Sequence, residues 1–284
     1  VLTFWGVTHH ALSEPAKAPK PNVPTCNRAA FRVVVDVGHT AHVPGAKSAR
    51  AVSEYYFNLR LAKEIKQALI RAGFGRTVLL ITTAPPRGGL FERAERANNI
   101  AADLFLSIHH DSVPNAFLER WEYEGEEYGF SDRFKGHSLF VSFDNADRKG
   151  SLLFARLLGR QLKDRGLQYT PHYIEPFMGH RQRELVDSAT GVYRFDELVV
   201  LKYTRMPAVL LEAGSIINRD EELLLRTPGR RALITGSVAE AVEKFCAARL
   251  PLRNPSPASH ANAGKDAPKT AAPNSLTAAP ASSR

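Results

Sequence analysis

Two hydrophobic patterns take turns along this chain. Short runs that are greasy on both sides, "FRVVVDVGH" (31–39), "TVLLITT" (77–83), "DLFLSIH" (103–109), "HSLFVSF" (137–143) and "PAVLLEAGS" (207–215), read as buried strands, because a strand covered on both faces shows no alternation. Between them lie segments whose apolar residues recur three and four apart. Over 53–73 this spacing places Tyr56, Leu59, Ala62, Ile65, Leu69 and Ile70 on one helical face, with Ser53 as N-cap and Gly73 as the stop. Segments 90–102, 151–166 and 229–250 read as further helices. Strands alternating with helices of this length predict an α/β fold, a single three-layer domain with a mostly parallel central sheet flanked by helices. The stretch 113–136 fits neither pattern. It is aromatic and acidic, and is expected to be an irregular lid or binding loop following directly on a strand.

The chain has 284 residues, 44% of them hydrophobic, enough for one substantial core with length left over. The surplus sits at the ends. Residues 1–28 read as a disordered leader and Pro/Lys/Ala linker, 29–250 as the folded domain, and 251–284 as a disordered Ala/Pro/Ser-rich tail without aromatics. The opening "VLTFWGV" reads either as the remnant of a secretion signal or as an unstructured end, and the missing Met suggests a processed or truncated product. No apolar run is long enough for a transmembrane helix. A net charge of +9 suits a polyanionic partner. The basic residues are scattered and no nucleic-acid fold signature is present, so nucleic acid is not expected, and an anionic wall polymer fits the charge equally well. Cys26 and Cys246 flank the core; pairing in an oxidising compartment stays open, since sequence does not give their separation.

Three strand ends carry polar residues that a buried strand has no reason to hold: His39, His109 and Glu212. In a parallel sheet the carboxyl ends share one edge, where ligands and chemistry gather. Glu54, in the first turn of the first helix, returns toward the same edge. Two imidazoles and a carboxylate are the ligand set of a catalytic zinc that keeps a position open. A further carboxylate is then needed to take a proton from water and pass it to the leaving amine. Glu212 is placed for that work, with a turn-capping role as the plain alternative.

The blocks "VVVDVGH", Glu54 fifteen residues later, "LFERAERAN", "ADLFLSIHHDS" and "MPAVLLEAGSIINRDEE" resemble, in order and spacing, the zinc-dependent N-acetylmuramoyl-L-alanine amidases of type 3, bacterial cell-wall enzymes. The resemblance implies zinc ligands at His39, Glu54 and His109 and a catalytic Glu212. It implies hydrolysis of the amide between N-acetylmuramic acid and L-alanine in peptidoglycan, for remodelling or daughter-cell separation, by a periplasmic or secreted enzyme, expected to be a monomer; whether a protein activator acts on it stays open. Two other readings stand beside it: a zinc peptidase on stem peptides, and a non-catalytic wall-binding or regulatory domain. His110 is read as a site-wall or substrate contact or as a neutral neighbour, and His42 as a loop histidine rather than an adventitious ligand. Arg93 and Asn98 match family positions and are expected to form a helix end packed beneath the site, with Arg93 tying loops together. The glutamates at 122, 124, 126 and 127 raise the idea of an acidic segment that supplies a temporary fourth ligand. Departures from the family pattern fall at Thr40 to Val43 and at Ser215, on the rim.

Overall fold

Strand β1 (Val33–Val37) is buried at every residue, and the rest of the chain is laid around it. The computed structural model describes residues 26–83 and 86–249; the leader as far as residue 25, and the tail, lie outside the described residues. In chain order, β1 is followed by α1 (Glu54–Arg71), β2 (Val78–Leu80), α2 (Pro86–Asn99), β3 (Leu104–Asp111), β4 (Glu119–Tyr123), β5 (Glu126–Phe130) and β6 (Ser138–Val141). Then come α3 (Arg148–Asp164), β7 (Glu184–Asp187), β8 (Val192–Arg194), α4 (Val199–Lys202), β9 (Ala208–Ser215), α5 (Arg219–Arg226) and α6 (Pro228–Arg249). Seven strands form one sheet in the order β2-β1-β3-β9-β6-β8-β7. The expected mostly parallel sheet is found: β1 pairs parallel with β2 and β3, β3 with β9 and β6 with β8. Antiparallel pairing enters at β6–β9 and β7–β8.

Side chains alternate across a strand, so the sheet sorts its residues into two sets. Val33, Val35, Val37, Leu104, Leu106 and Ile108 face the layer made by α1, α3 and α6. Val34, Phe105, Phe140 and Leu210 face the other way, toward Ala97 of α2 and Val200 and Leu201 of α4. By the same alternation Asp36, Ser107, His109 and Glu212 fall on the second face, at its carboxyl edge.

Helix α1 departs from expectation in its inner face. Leu61, Ala62, Ile65 and Leu69 are buried, but Tyr56 is 60% exposed and Ile70 is exposed too. The buried stripe starts instead with Glu54 and Asn58, two polar residues that serve the site. Ser53 holds the N-cap position without a side-chain capping bond. At the other end Phe74 N–H donates to Leu69 O and Gly73 N–H to Ile70 O, with Gly73 at φ +97°. That is a Schellman closure, which glycine permits at little cost.

The stretch expected to be irregular is a hairpin. Strands β4 and β5 pair antiparallel around Glu124 and Gly125, which have φ of 52° and 82°, the left-handed pair that a two-residue turn needs. Trp121 donates to Ala49 O at 2.9 Å, Arg50 and Arg219 lie over its ring, and Ser131 N–H donates to Ile217 O. The hairpin is therefore fastened to the body of the protein, with its glutamates facing solvent.

Near its start the described chain is tied to its last helix. Cys26 and Cys246 form a disulfide, and Arg28 pairs with Glu243 at 2.7 Å.

Candidate active site

Strand β1 ends in Gly38 and His39, and His39 sits in the left-handed region at φ 64°. Such a conformation is uncommon outside glycine and tends to mark functional positions that the surroundings hold in place. Arg93 of α2 does the holding. It is buried, pairs with Asp36 at 2.8 Å, and donates to the carbonyls of Val37 and His39. Asp36 also accepts from Ser107 at 2.7 Å, so the strand end is braced from both sides. Asn98 ties Tyr203 and Arg205 to α2 through its amide. Arg93 does the loop-tying work expected of it, and the amide of Asn98 adds a tie of its own.

The loop after His39 returns to α1 through Gly45, and Glu54 begins the helix with its backbone N–H on Ala46 O. A carboxylate in the first turn is favoured by the helix dipole. Its two oxygens divide between the histidines: Oε2 lies 2.9 Å from His39 Nε2, and Oε1 3.0 Å from His109 Nδ1. The two imidazole rings are 5.1 Å apart. Burial opposes the charged form of Glu54, but the bonds and charges of His109 and His39 outweigh it and hold the carboxyl far below the usual range. Asn58, one turn along α1, donates to Glu54 Oε1 at 3.1 Å and to Gly38 O at 3.2 Å, which fixes the carboxylate's angle.

His39, Glu54 and His109 bring one donor atom each within 4.8 Å of one another. A tetrahedral zinc with bonds near 2.0–2.1 Å holds its donors about 3.3 Å apart, so the spacing and donor set fit that ion. Glycine is required nearby: a Cβ on Gly45, at φ +77°, would stand 2.6 Å from Glu54 Oε2 and 2.7 Å from His39 Cδ2. Gly38 lies against the His109 ring in the same way. No glutamate of the hairpin joins this cluster among the described residues, and exposed His42 does not either.

Glu212 lies across from His109 in the β3–β9 register, on the same face, with Ser138 of β6 across from it on the other side. Its Oε2 is buried without a hydrogen-bond partner among the described residues. Burial pushes this carboxyl well above its ordinary value, and the charges of Asp111 and Glu54 push it further. A carboxyl whose proton affinity is raised in this way is suited to taking up and giving back a proton.

The sequence reading missed a buried polar group beside Glu212. Asp111 accepts from Tyr173 Oη at 2.7 Å, and lies 3.5 Å from His172 and 3.8 Å from Arg181. Burial raises Asp111 to about 6 and lowers His172 to about 4. The signal for Asp111 was available, because β3 continues past His109 and residue 111 returns to the site face. The same alternation corrects His110. It points to the α1 side, buried, with Nδ1 2.8 Å from Asn58 Oδ1 and its ring against Phe57. It braces the His39–Glu54–His109 cluster from behind, where the α1 side of the sheet holds it.

Two cavities flank the cluster. An apolar pocket of about 320 Å³ is lined by His39, Val43, Leu90, His109, Val199 and Leu210. A more polar groove of about 330 Å³ is lined by Lys47, Ser48, Ser112, Asn115, Arg120 and Tyr128.

The architecture recurs in solved structures. The amidase Ami1 from Mycobacterium smegmatis superposes with a TM-score of 0.60 at 19% identity, covering 78% of this chain and 99% of that one. The CwlD amidase of Clostridioides difficile, solved in complex with the GerS lipoprotein, gives 0.55 at 18% identity over 77% of this chain and 99% of that one. In sequence, the N-acetylmuramoyl-L-alanine amidase AmiA of Escherichia coli (strain K12) is 28% identical over 229 residues, 75% of each chain. The sequence model of the N-acetylmuramoyl-L-alanine amidases matches residues 33–244. That span runs from the first residue of β1 almost to the end of α6 and takes in His39, Glu54, His109 and Glu212, and the chain belongs to this amidase family.

Proposed function

We propose that residues 29–250 form a zinc amidase domain that cleaves the bond joining the lactyl carbonyl of N-acetylmuramic acid to L-alanine in peptidoglycan. The observation that carries this reading is the convergence of His39, Glu54 and His109 at the sheet edge, with an unpartnered Glu212 on the adjoining strand. His39, Glu54 and His109 would hold the zinc, which when bound polarises the amide carbonyl and acidifies water at the site.

The remaining work falls to side chains. Glu212 takes a proton from water as the oxygen adds to the carbonyl carbon. It then delivers that proton to the nitrogen as the carbon–nitrogen bond breaks, leaving a carboxylic acid and the free amine of L-alanine. Burial readies Glu212 for both halves by raising its affinity for the proton. Arg93, Asn58 and His110 keep the donors aimed, and the Asp111–Tyr173 pair closes the wall behind Glu212.

A periplasmic or extracellular setting suits this function. The disulfide supports it, since such bonds persist in oxidising compartments, and no helix among the described residues is long and apolar enough to cross a membrane. Peptidoglycan is the partner, and a protein activator is in keeping with a relative solved in complex with a lipoprotein.

The test is digestion of purified sacculi with and without chelator, the products being read by mass spectrometry. Stem peptides beginning at L-alanine, lost with chelator and restored by zinc, are the expected outcome, and Glu212→Gln should abolish them while zinc stays bound. Stem fragments cut between amino acids would favour a peptidase instead. Intact sacculi under every condition would refute the enzymatic reading.

A further inference from the structure

The two cavities have separate linings, but the same two chain segments run from one to the other past the His39–Glu54–His109 cluster. One loop, residues 39 to 48, lines the apolar pocket with His39 and Val43 and the polar groove with Lys47 and Ser48. Likewise β3 lines the pocket through His109, and the turn after it lines the groove through Ser112. A substrate whose reacting bond sits at the cluster has both cavities within reach along these segments.

The two cavities are chemically unlike. In the pocket, the buried cation Arg93 is already paired with Asp36, and the remaining charge outside the metal cluster is the exposed carboxylate of Glu197. A carboxylate of the substrate would be repelled there. In the groove, Lys47 is exposed and makes no ion pair among the described residues, while Arg120 makes only a loose, exposed pair with Glu127 at 3.6 Å. Arg120, Glu127, Tyr128 and Gly129 come from the hairpin, which Trp121 and Arg50 hold in place as a fixed wall, and with Lys47 the groove keeps a net positive charge even with Glu127 counted.

Resting on the amidase reading, we infer that the β4–β5 hairpin is a specificity wall for the amine side of the substrate. The acidic peptide stem runs along the groove with a carboxylate near Lys47 and Arg120, and the methyl-bearing acyl side faces the apolar pocket. The hairpin thus reads stem charge and does not plug the metal site.

The experiment compares kcat/KM of the zinc-loaded full chain on N-acetylmuramoyl-L-alanyl-D-glutamate and on its diamide. Two exposed pairs of this type are expected to give the free acid an advantage of roughly tenfold at low salt, shrinking as salt is added. Lys47→Gln with Arg120→Gln should bring the ratio close to one, and Glu127→Gln, which releases Arg120, should raise it. Equal rates on both probes with the parent protein, or an advantage that survives the double substitution, would overturn the inference. So would cleavage of neither probe by protein that still releases stem peptides from sacculi. Failure on sacculi as well would instead bring down the amidase reading on which the inference rests.

Discussion

Gly45→Ala puts the proposed metal site under direct test, because it alters no donor. Two costs can be worked out. The backbone stands at φ +77°, where a side chain costs about 1–2 kcal/mol. The new methyl would lie 2.6 Å from Glu54 Oε2 and 2.7 Å from His39 Cδ2, whereas ordinary contacts begin at 3.4 Å, so loop or donors must give by about 0.8 Å. Glu54 is pinned by His109, Asn58 and the His110 amide, and His39 is pinned through its carbonyl by Arg93. The displacement is therefore expected in the relation between His39 and Glu54. Disturbing the surroundings of metal ligands typically weakens binding about 10- to 100-fold. Zinc competition against a chromophoric chelator should show that loss, and urea unfolding in EDTA should show the loss of about 1–2 kcal/mol separately. Zinc affinity within twofold of the parent, with the stability loss present, would mean that the loop absorbs the methyl without touching the donors, and the argument from close packing would be wrong.

Three other outcomes follow from the same geometry. Arg93→Met should lower stability by about 3–5 kcal/mol, measured by urea unfolding of the apo protein, because it strands the buried Asp36 charge. Replacing Cys26 and Cys246 together by Ser should cost up to about 5 kcal/mol, the chain-entropy value for a bond spanning 220 residues, and reductant should then no longer shift the unfolding midpoint. His137 is buried, neither ring nitrogen has a partner among the described residues, and burial lowers it to about 4. The unfolded chain binds the proton near 6.5, so the contribution of neutral His137 is complete above that pH and is lost as the pH falls toward 4, by about 3 kcal/mol. In urea unfolding between pH 7 and 4, the stability gap between parent and His137→Phe should change by that amount; a gap that does not move with pH would refute it.

Much of this arrangement could be read from sequence, and the failures have physical causes. The greasy runs ending in His39, His109 and Glu212 were visible because a two-sided strand that stops in a polar residue is anomalous on its own terms. The inner face of α1 was misread because Glu54 and Asn58 break the apolar rhythm where they serve the site, while Tyr56 and Ile70, though hydrophobic, face outward. The hairpin escaped notice because its left-handed turn is Glu124-Gly125, lacking the Asn or Asp that usually marks such turns. The alternation of Trp121 with Tyr123 and of Tyr128 with Phe130 was its remaining trace. Strands β7 and β8 have only four and three residues, too few for any period to show. His172, Tyr173 and Arg181 reach Asp111 from some sixty to seventy positions away, and nothing local announces such contacts.

The place of β9 in the sheet has a consequence for order in time. It slots between β3 and β6, strands made long before it, so Glu212 arrives beside His109 only after most of the chain exists. The three donors, by contrast, all belong to the first 109 residues. A chain emerging N-terminus first makes the His39–Glu54–His109 cluster early and the strand that carries Glu212 late. A copy that lacks β9 lacks Glu212, and under the proposed mechanism it has no group to carry the proton that cleavage requires.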